Sequence, residues 1–191
     1  MAGQVLVSLA VLLLAIAALV VLLTTYNAVM AMQRRIDKAW ANVEVALQQR
    51  HDELPNLVDA VRDEMSYERS VLEDVTSLRA AYSPDASLPA QAATSDATSA
   101  AVRSLLGVLE RYPALRSQEN VMSLQREIER LETLIATRRE FFNDSVYLYD
   151  ASIRQLPAVL FAGWMGWTPR EFFTAAADEG AAPRVAMPPA G

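Results

Sequence analysis

Arg50, His51 and Asp52 place a cation, an imidazole and a carboxylate side by side within QQRHDELPNLVDAV, Gln48 to Val61. His51 is the only histidine in the chain. An imidazole titrates close to neutral pH and could serve as a base or a metal ligand. A base needs a nucleophile or a substrate pocket within hydrogen-bond reach, and the neighbouring residues supply neither. The setting, beside a proline, reads instead as a structural hydrogen-bonding residue. Carboxylates invite a metal site between helices, and the di-iron arrangement requires Glu-x-x-His. No glutamate here has a histidine three residues later. The absence of cysteine excludes disulfides and thiolate metal sites. Calcium-loop, phosphate-loop and nucleophile-elbow motifs do not occur. The sequence therefore predicts no catalytic residue, no metal site, no cofactor and no enzymatic activity.

A second group of charges lies on or near apolar stripes: Arg50, Glu64, Glu68, Arg79 and Arg138. Buried charges are costly unless they are paired and hydrogen-bonded. The expectation is an internal polar network drawn from Arg50, His51, Asp52, Glu64, Glu68 and Arg138 that fixes helix register. The competing expectation is a pocket for a small anion or a lipid head group formed by Arg50 and Arg138.

The elements that must position these residues are helical. No convincing strand alternation follows the N-terminal segment, and apolar residues recur at three and four. The first stripe holds Ile36, Trp40, Val43, Leu47 and Leu54. The second holds Leu57, Val61, Val71, Val75 and Leu78. The third holds Val102, Leu105, Leu106 and Leu109, and the fourth runs from Val121 through Leu131 and Phe142 to Ile153. Narrow seams of this kind build coiled-coil-like helix bundles. SPDASLPAQAATSD, residues 83–96, reads as a linker, with Ser95 or Asp96 able to cap the next helix. Asn120 is a further capping candidate, and the stretch 175–191 reads as a disordered tail.

Pro55 pulls in two directions. Inside a helix it removes a hydrogen bond and clashes with the carbonyl four residues back, at ~3 kcal/mol. In a first helical turn that cost vanishes, which favours a break. The apolar stripe nevertheless keeps phase across it, through Leu47, Arg50, Leu54, Leu57 and Val61. The pattern alone supports both readings.

At the N-terminus, VLVSLAVLLLAIAALVVLL, Val5 to Leu23, carries no charge. At about 1.5 Å per residue it spans roughly 29 Å, the thickness of a bilayer core. A cleaved signal peptide fits less well, because no basic residue precedes the run and apolar residues continue past the AIA at Ala15–Ala17. The expected organisation is a short N-terminus (1–4), a single-pass transmembrane helix (5–25), a helical bundle (26–157) and an aromatic-rich end segment (158–174). Arg34, Arg35 and Lys38 follow the span, opposed only by Asp37, so the bundle is expected in the cytoplasm and the N-terminus outside. These three cations and the interfacial aromatic Tyr26 are expected to touch lipid. A net charge of −6 argues against nucleic acid as a partner.

Several blocks resemble the LemA family of bacterial membrane proteins: Tyr26–Asn27, AWANVEVALQQRHDELPNLVDAV (39–61), VLEDVTSLR (71–79), RYPALRSQENVMSLQREIE (111–129), FNDSVYLYDASIRQLP (142–157) and GWTPREFF (166–173). The resemblance covers nearly the whole chain to about Phe173. Glu53 stands where an apolar residue is usual, Tyr67 where histidine is expected, and Asp150 where asparagine is expected. The resemblance implies an anchor in the bacterial inner membrane, an antiparallel four-helix up-and-down bundle and no established catalytic residues. That helix count favours a hairpin at Pro55. A fourth helix returning to the membrane would bring Trp164 and Trp167 to the bilayer. The functional expectation is an all-α, membrane-anchored scaffold or adaptor linked to membrane organisation, with a protein partner or self-association. The alternative is a sensor of a small anionic ligand or lipid head group.

Overall fold

The computed structural model describes residues 1–174, which are helical with no strand among them; the expected tail at 175–191 lies outside the described residues. The elements are α1 (Ala2–Val61), a 3-10 turn (Ser66–Glu68), α2 (Arg69–Ala81), α3 (Leu88–Leu109), α4 (Pro113–Arg116), α5 (Glu119–Ile153) and α6 (Val159–Met165). They divide into two compact units. The first is Met1–Trp40 with Phe141–Glu171, and the second is Ala41–Glu140 with the chain from Phe172.

The hairpin expected at Pro55 does not form. α1 runs through Pro55 and ends at Val61. Two facts explain the outcome. Leu54, Leu57, Val58 and Val61 are all buried in the core, and each such side chain contributes about 1.5–3 kcal/mol. Keeping the four in helical phase therefore outweighs the ~3 kcal/mol of an interior proline. The missing N–H at position 55 would also orphan the carbonyl of His51, one turn back. Arg79 Nε, from α2, donates to that oxygen at 3.2 Å. The reversal comes later, over Arg62–Glu68, where Met65 N donates to the Val61 carbonyl at 3.0 Å. Asp63 and Glu64 at that end oppose the helix dipole and favour termination.

The core of the second unit pools residues from four helices and their connections. α1 supplies the residues named above, α2 Leu72 and Val75, α3 Val102, Leu105 and Leu109, and α5 Val121, Ile128 and Leu131. Met65 and Leu115, from the connections after α1 and α3, complete it. α3 begins at Leu88, well inside the stretch read as a linker. Pro89 suits a first turn, and the alanines after it are strong helix formers. Gln91 Nε2 ties the preceding turn down by donating to the carbonyls of Pro84 (3.0 Å) and Ala86 (2.9 Å). Ser95 and Asp96 are thus mid-helix residues, not caps. Asn120 likewise falls inside α5.

In the first unit α5 runs antiparallel to α1. Trp40 meets Phe142 edge-on, with ring centroids 5.5 Å apart. One heptad back along α1 and one forward along α5, Gln33 Nε2 donates to the Tyr149 hydroxyl at 3.2 Å. Val29, Ile36 and Ala39 are buried on the same side of α1. Val5–Leu23, by contrast, is exposed throughout except for half-buried Leu22.

Pro55→Ala is expected to raise stability by about 1–3 kcal/mol, since alanine restores the hydrogen bond to His51 O and relieves the ring clash. Arg79→Met should be costly in the native chain and much cheaper in the Pro55→Ala background, where that carbonyl has a backbone donor. Equal losses in both backgrounds, measured by urea unfolding, would contradict the account.

Candidate functional site around Arg50

Arg50 occupies a core position of α1 and is only 4% exposed. A guanidinium has five donors and no acceptor capacity, so burial demands several oxygens. Nη1 donates to Ser99 Oγ at 2.8 Å and to Glu132 Oε1 at 2.9 Å. Nη2 donates to Ser95 Oγ at 3.1 Å. One residue of α1 is thereby bound to α3 through two serines one turn apart, and to α5 through a carboxylate. The adjacent His51 carbonyl is bound to α2 by Arg79. Consecutive residues of α1 therefore hold all three other long helices of the second unit.

The His51 ring lies 5.2 Å from that of Tyr82, centroid to centroid. Its Nδ1 is buried and meets no hydrogen-bond partner. The void lined by Arg50, His51, Tyr82 and Ser95 measures about 10 Å³, room for about one water molecule. A substrate does not fit there. Burial pushes the Tyr82 phenol pKa up, the Glu44 and Asp52 carboxylates push it the same way, and Arg50 opposes them.

The expected polar network is assembled only in part. Arg50 and His51 lie at its centre. Asp52 is exposed and accepts from Gln48 Nε2 at 2.9 Å. Glu64 is exposed on the reversal. Glu68 pairs with Arg111 at 3.0 Å, away from Arg50. Arg138 donates to the Asn42 carbonyl at 2.6 Å, so Arg50 and Arg138 do not converge on one pocket. Ser95, Ser99 and Glu132 were not foreseen. Ser95 and Ser99 share a face of an alanine-rich helix, and that spacing was the available signal. Asp96, the other residue read as a cap, pairs with Arg139. The Arg139 guanidinium also lies 4.8 Å from the centroid of the Phe173 ring. No group of three or more His, Asp or Glu among the described residues could hold a metal ion.

Of the residues expected at the membrane, Arg34 and Lys38 are exposed. Arg35 lies over the Phe141 ring at 5.0 Å. Trp164 is exposed, whereas Trp167 is buried against Tyr26, ring centroids 6.4 Å apart.

The family model for LemA proteins matches residues 39–187. The chain belongs to the LemA family. The match begins at Ala39, so the apolar run and Tyr26–Asn27 precede it, and it extends beyond Phe173, where the quoted motifs end. No curated protein sequence matches the chain. Every residue of the Arg50 hub lies within the LemA match. The three departures from the family pattern lie outside the hub: Glu53 accepts from Asn56 at 3.0 Å, Tyr67 is exposed, and Asp150 accepts from the backbone of Arg170 at 3.0 Å.

Glu132→Leu should cost about 3–5 kcal/mol, because it strands a buried cation. Arg50→Met should cost less, since the Glu132 side chain, 21% exposed, can turn to water. The double substitution should recover most of the larger loss. Additive losses in chemical denaturation would show that the pair is not coupled. Because the folded Tyr82 phenol keeps its proton above the ordinary tyrosine value of about 10, its contribution is complete below that pH. It is lost as pH rises through the folded pKa. Tyr82→Phe should therefore flatten the alkaline fall in stability, as read from urea midpoints.

Proposed function

We propose that this LemA-family chain is a single-pass membrane protein presenting a helical scaffold or adaptor at the cytoplasmic face of the bacterial inner membrane. One observation carries the reading. Val5–Leu23 forms one charge-free, apolar stretch of α1 that is exposed except at half-buried Leu22. Left in water, so large an apolar surface would drive aggregation. In hydrocarbon each large side chain gains about 1.5–3 kcal/mol. The helix also satisfies its own backbone polar groups, as a spanning segment must.

In this reading the rest of α1, with α2, α3 and α5, forms an antiparallel four-helix bundle. Arg34, Arg35 and Lys38 follow the apolar run and keep that side in the cytoplasm. The Arg50 guanidinium is engaged by Ser95, Ser99 and Glu132, which suits a rigid body that offers surfaces. Partner proteins or further copies of the chain would then be organised at the membrane, without a chemical step. The rival reading, a sensor built on Arg50 and Arg138, lacks such support, since each guanidinium already serves another part of the fold.

The chain has no cysteine, so single cysteines report topology cleanly. Ala93 is exposed on α3. Ala93→Cys should resist an impermeant thiol reagent in intact cells and react after permeabilisation, while Gly3→Cys should react in intact cells. The opposite pattern reverses the orientation. Crosslinking in native membranes should give discrete protein adducts. A co-purifying small molecule without adducts would support the sensor.

A further inference from the structure

Outside the N-terminal run, the densest cluster of exposed large apolar side chains is Leu156 (74%), Val159, Leu160 (70%) and Trp164 (79%). Leu160 and Trp164 are four residues apart on α6 and share one face, and exposed Leu156 lies in the turn just before the helix. The opposite side of α6 packs inward through half-buried Phe161, Ala162 and Met165, and Ala158 is buried just before it. A surface helix in water would carry polar residues on its outer face. Here both faces are apolar. The sequence is uncharged from Gln155 to Pro169, and exposed Arg154 and Arg170 bracket it.

The first unit fixes where this face sits. Gly166 ends α6 at φ +68°, a conformation natural to glycine. The chain then docks on α1 and α5. Trp167 packs on Tyr26, the Tyr149 hydroxyl donates to the Thr168 carbonyl at 3.2 Å, and Arg170 N donates to Asp150 at 3.0 Å. Tyr26 lies three residues past Leu23, the last residue of the apolar run, or about 4.5 Å along the axis. α6 is thus pinned at the level where α1 would leave the hydrocarbon.

We propose that α6 is an interfacial helix that lays Leu160 and Trp164 into the head-group and upper acyl region of the bilayer. The proposal rests on the anchor reading above. Tryptophan favours this zone because its ring is apolar while its N–H stays hydrated. Arg154 and Arg170 meet lipid phosphates at either end. At seven residues α6 is too short to span. The contact gives the anchor a second point of attachment, which restrains rotation of the first unit about the α1 axis.

The test uses the full chain in vesicles of phosphatidylcholine and phosphatidylglycerol. Trp40→Phe with Trp167→Phe leaves Trp164 as the only tryptophan. Its emission should move to shorter wavelength and be quenched when the acyl chains are brominated near the head group. Long-wavelength emission without quenching overturns the proposal. Short-wavelength emission without quenching also overturns it, because a second copy of the chain would then cover the face. Flotation of the same vesicles separates the two readings. Protein that floats with an unquenched Trp164 is anchored without the interfacial contact, whereas protein that fails to float overturns both. Leu160→Cys carrying an environment-sensitive fluorophore repeats the measurement with all three tryptophans in place. Labelled Tyr67→Cys, on an exposed site of the second unit, serves as the aqueous reference.

Discussion

A guanidinium buried in a helical core has few acceptable surroundings. Arg50 sits at a position where the seam of α1 otherwise carries valine, isoleucine and leucine. Once it is there, any arrangement that fails to deliver several acceptors costs several kcal/mol. Ser95, Ser99 and Glu132 arrive together only when α3 and α5 lie at one particular height against α1. Leucines alone would tolerate a slip of one turn along the seam, since one apolar contact replaces another. The charge does not. The register of the second unit follows from this requirement, and the surrounding apolar core supplies the stability.

The next residue shows a local rule being overruled. Proline should end or bend α1 near His51, and the orphaned carbonyl should make that outcome more favourable. α2 reverses the balance by presenting Arg79 to the same carbonyl. α1 then continues for another turn and a half and buries Leu57, Val58 and Val61. Arg79 and Pro55 are distant in sequence and have no shared pattern that a reader could detect. Their pairing exists only after the chain reverses at Arg62–Glu68. The family resemblance favoured four helices, and a reversal at Pro55 was the simplest way to reach that number. The later reversal lets α1 run on instead.

The proposed function is a matter of surfaces. Within the second unit the Arg50 guanidinium is taken up by Ser95, Ser99 and Glu132, and the adjoining void has room for about one water. Within the first unit the unusual features are apolar and outward: an uncovered run of α1, and an α6 with no polar face. In the proposed reading, lipid is the solvent for these outward apolar surfaces. Trp167 and Trp164 illustrate the division. They are three residues apart and chemically identical, yet one closes the packing against Tyr26 and the other is left outside.

The sequence by itself determined the class of structure. A charge-free run of bilayer length, seams at three and four, and motif blocks of the LemA family are local features, visible without knowing what touches what. It also identified Arg50 as a charge on an apolar seam, because that conflict lies within one helix. Only the tertiary structure decided which groups resolve the conflict, where α1 ends, and that Ser95 and Asp96 belong to a helix, with Ser95 facing inward. Those outcomes depend on the height of one helix against another. That height is a sum of many contacts between residues far apart in sequence, and no single stretch of chain encodes it.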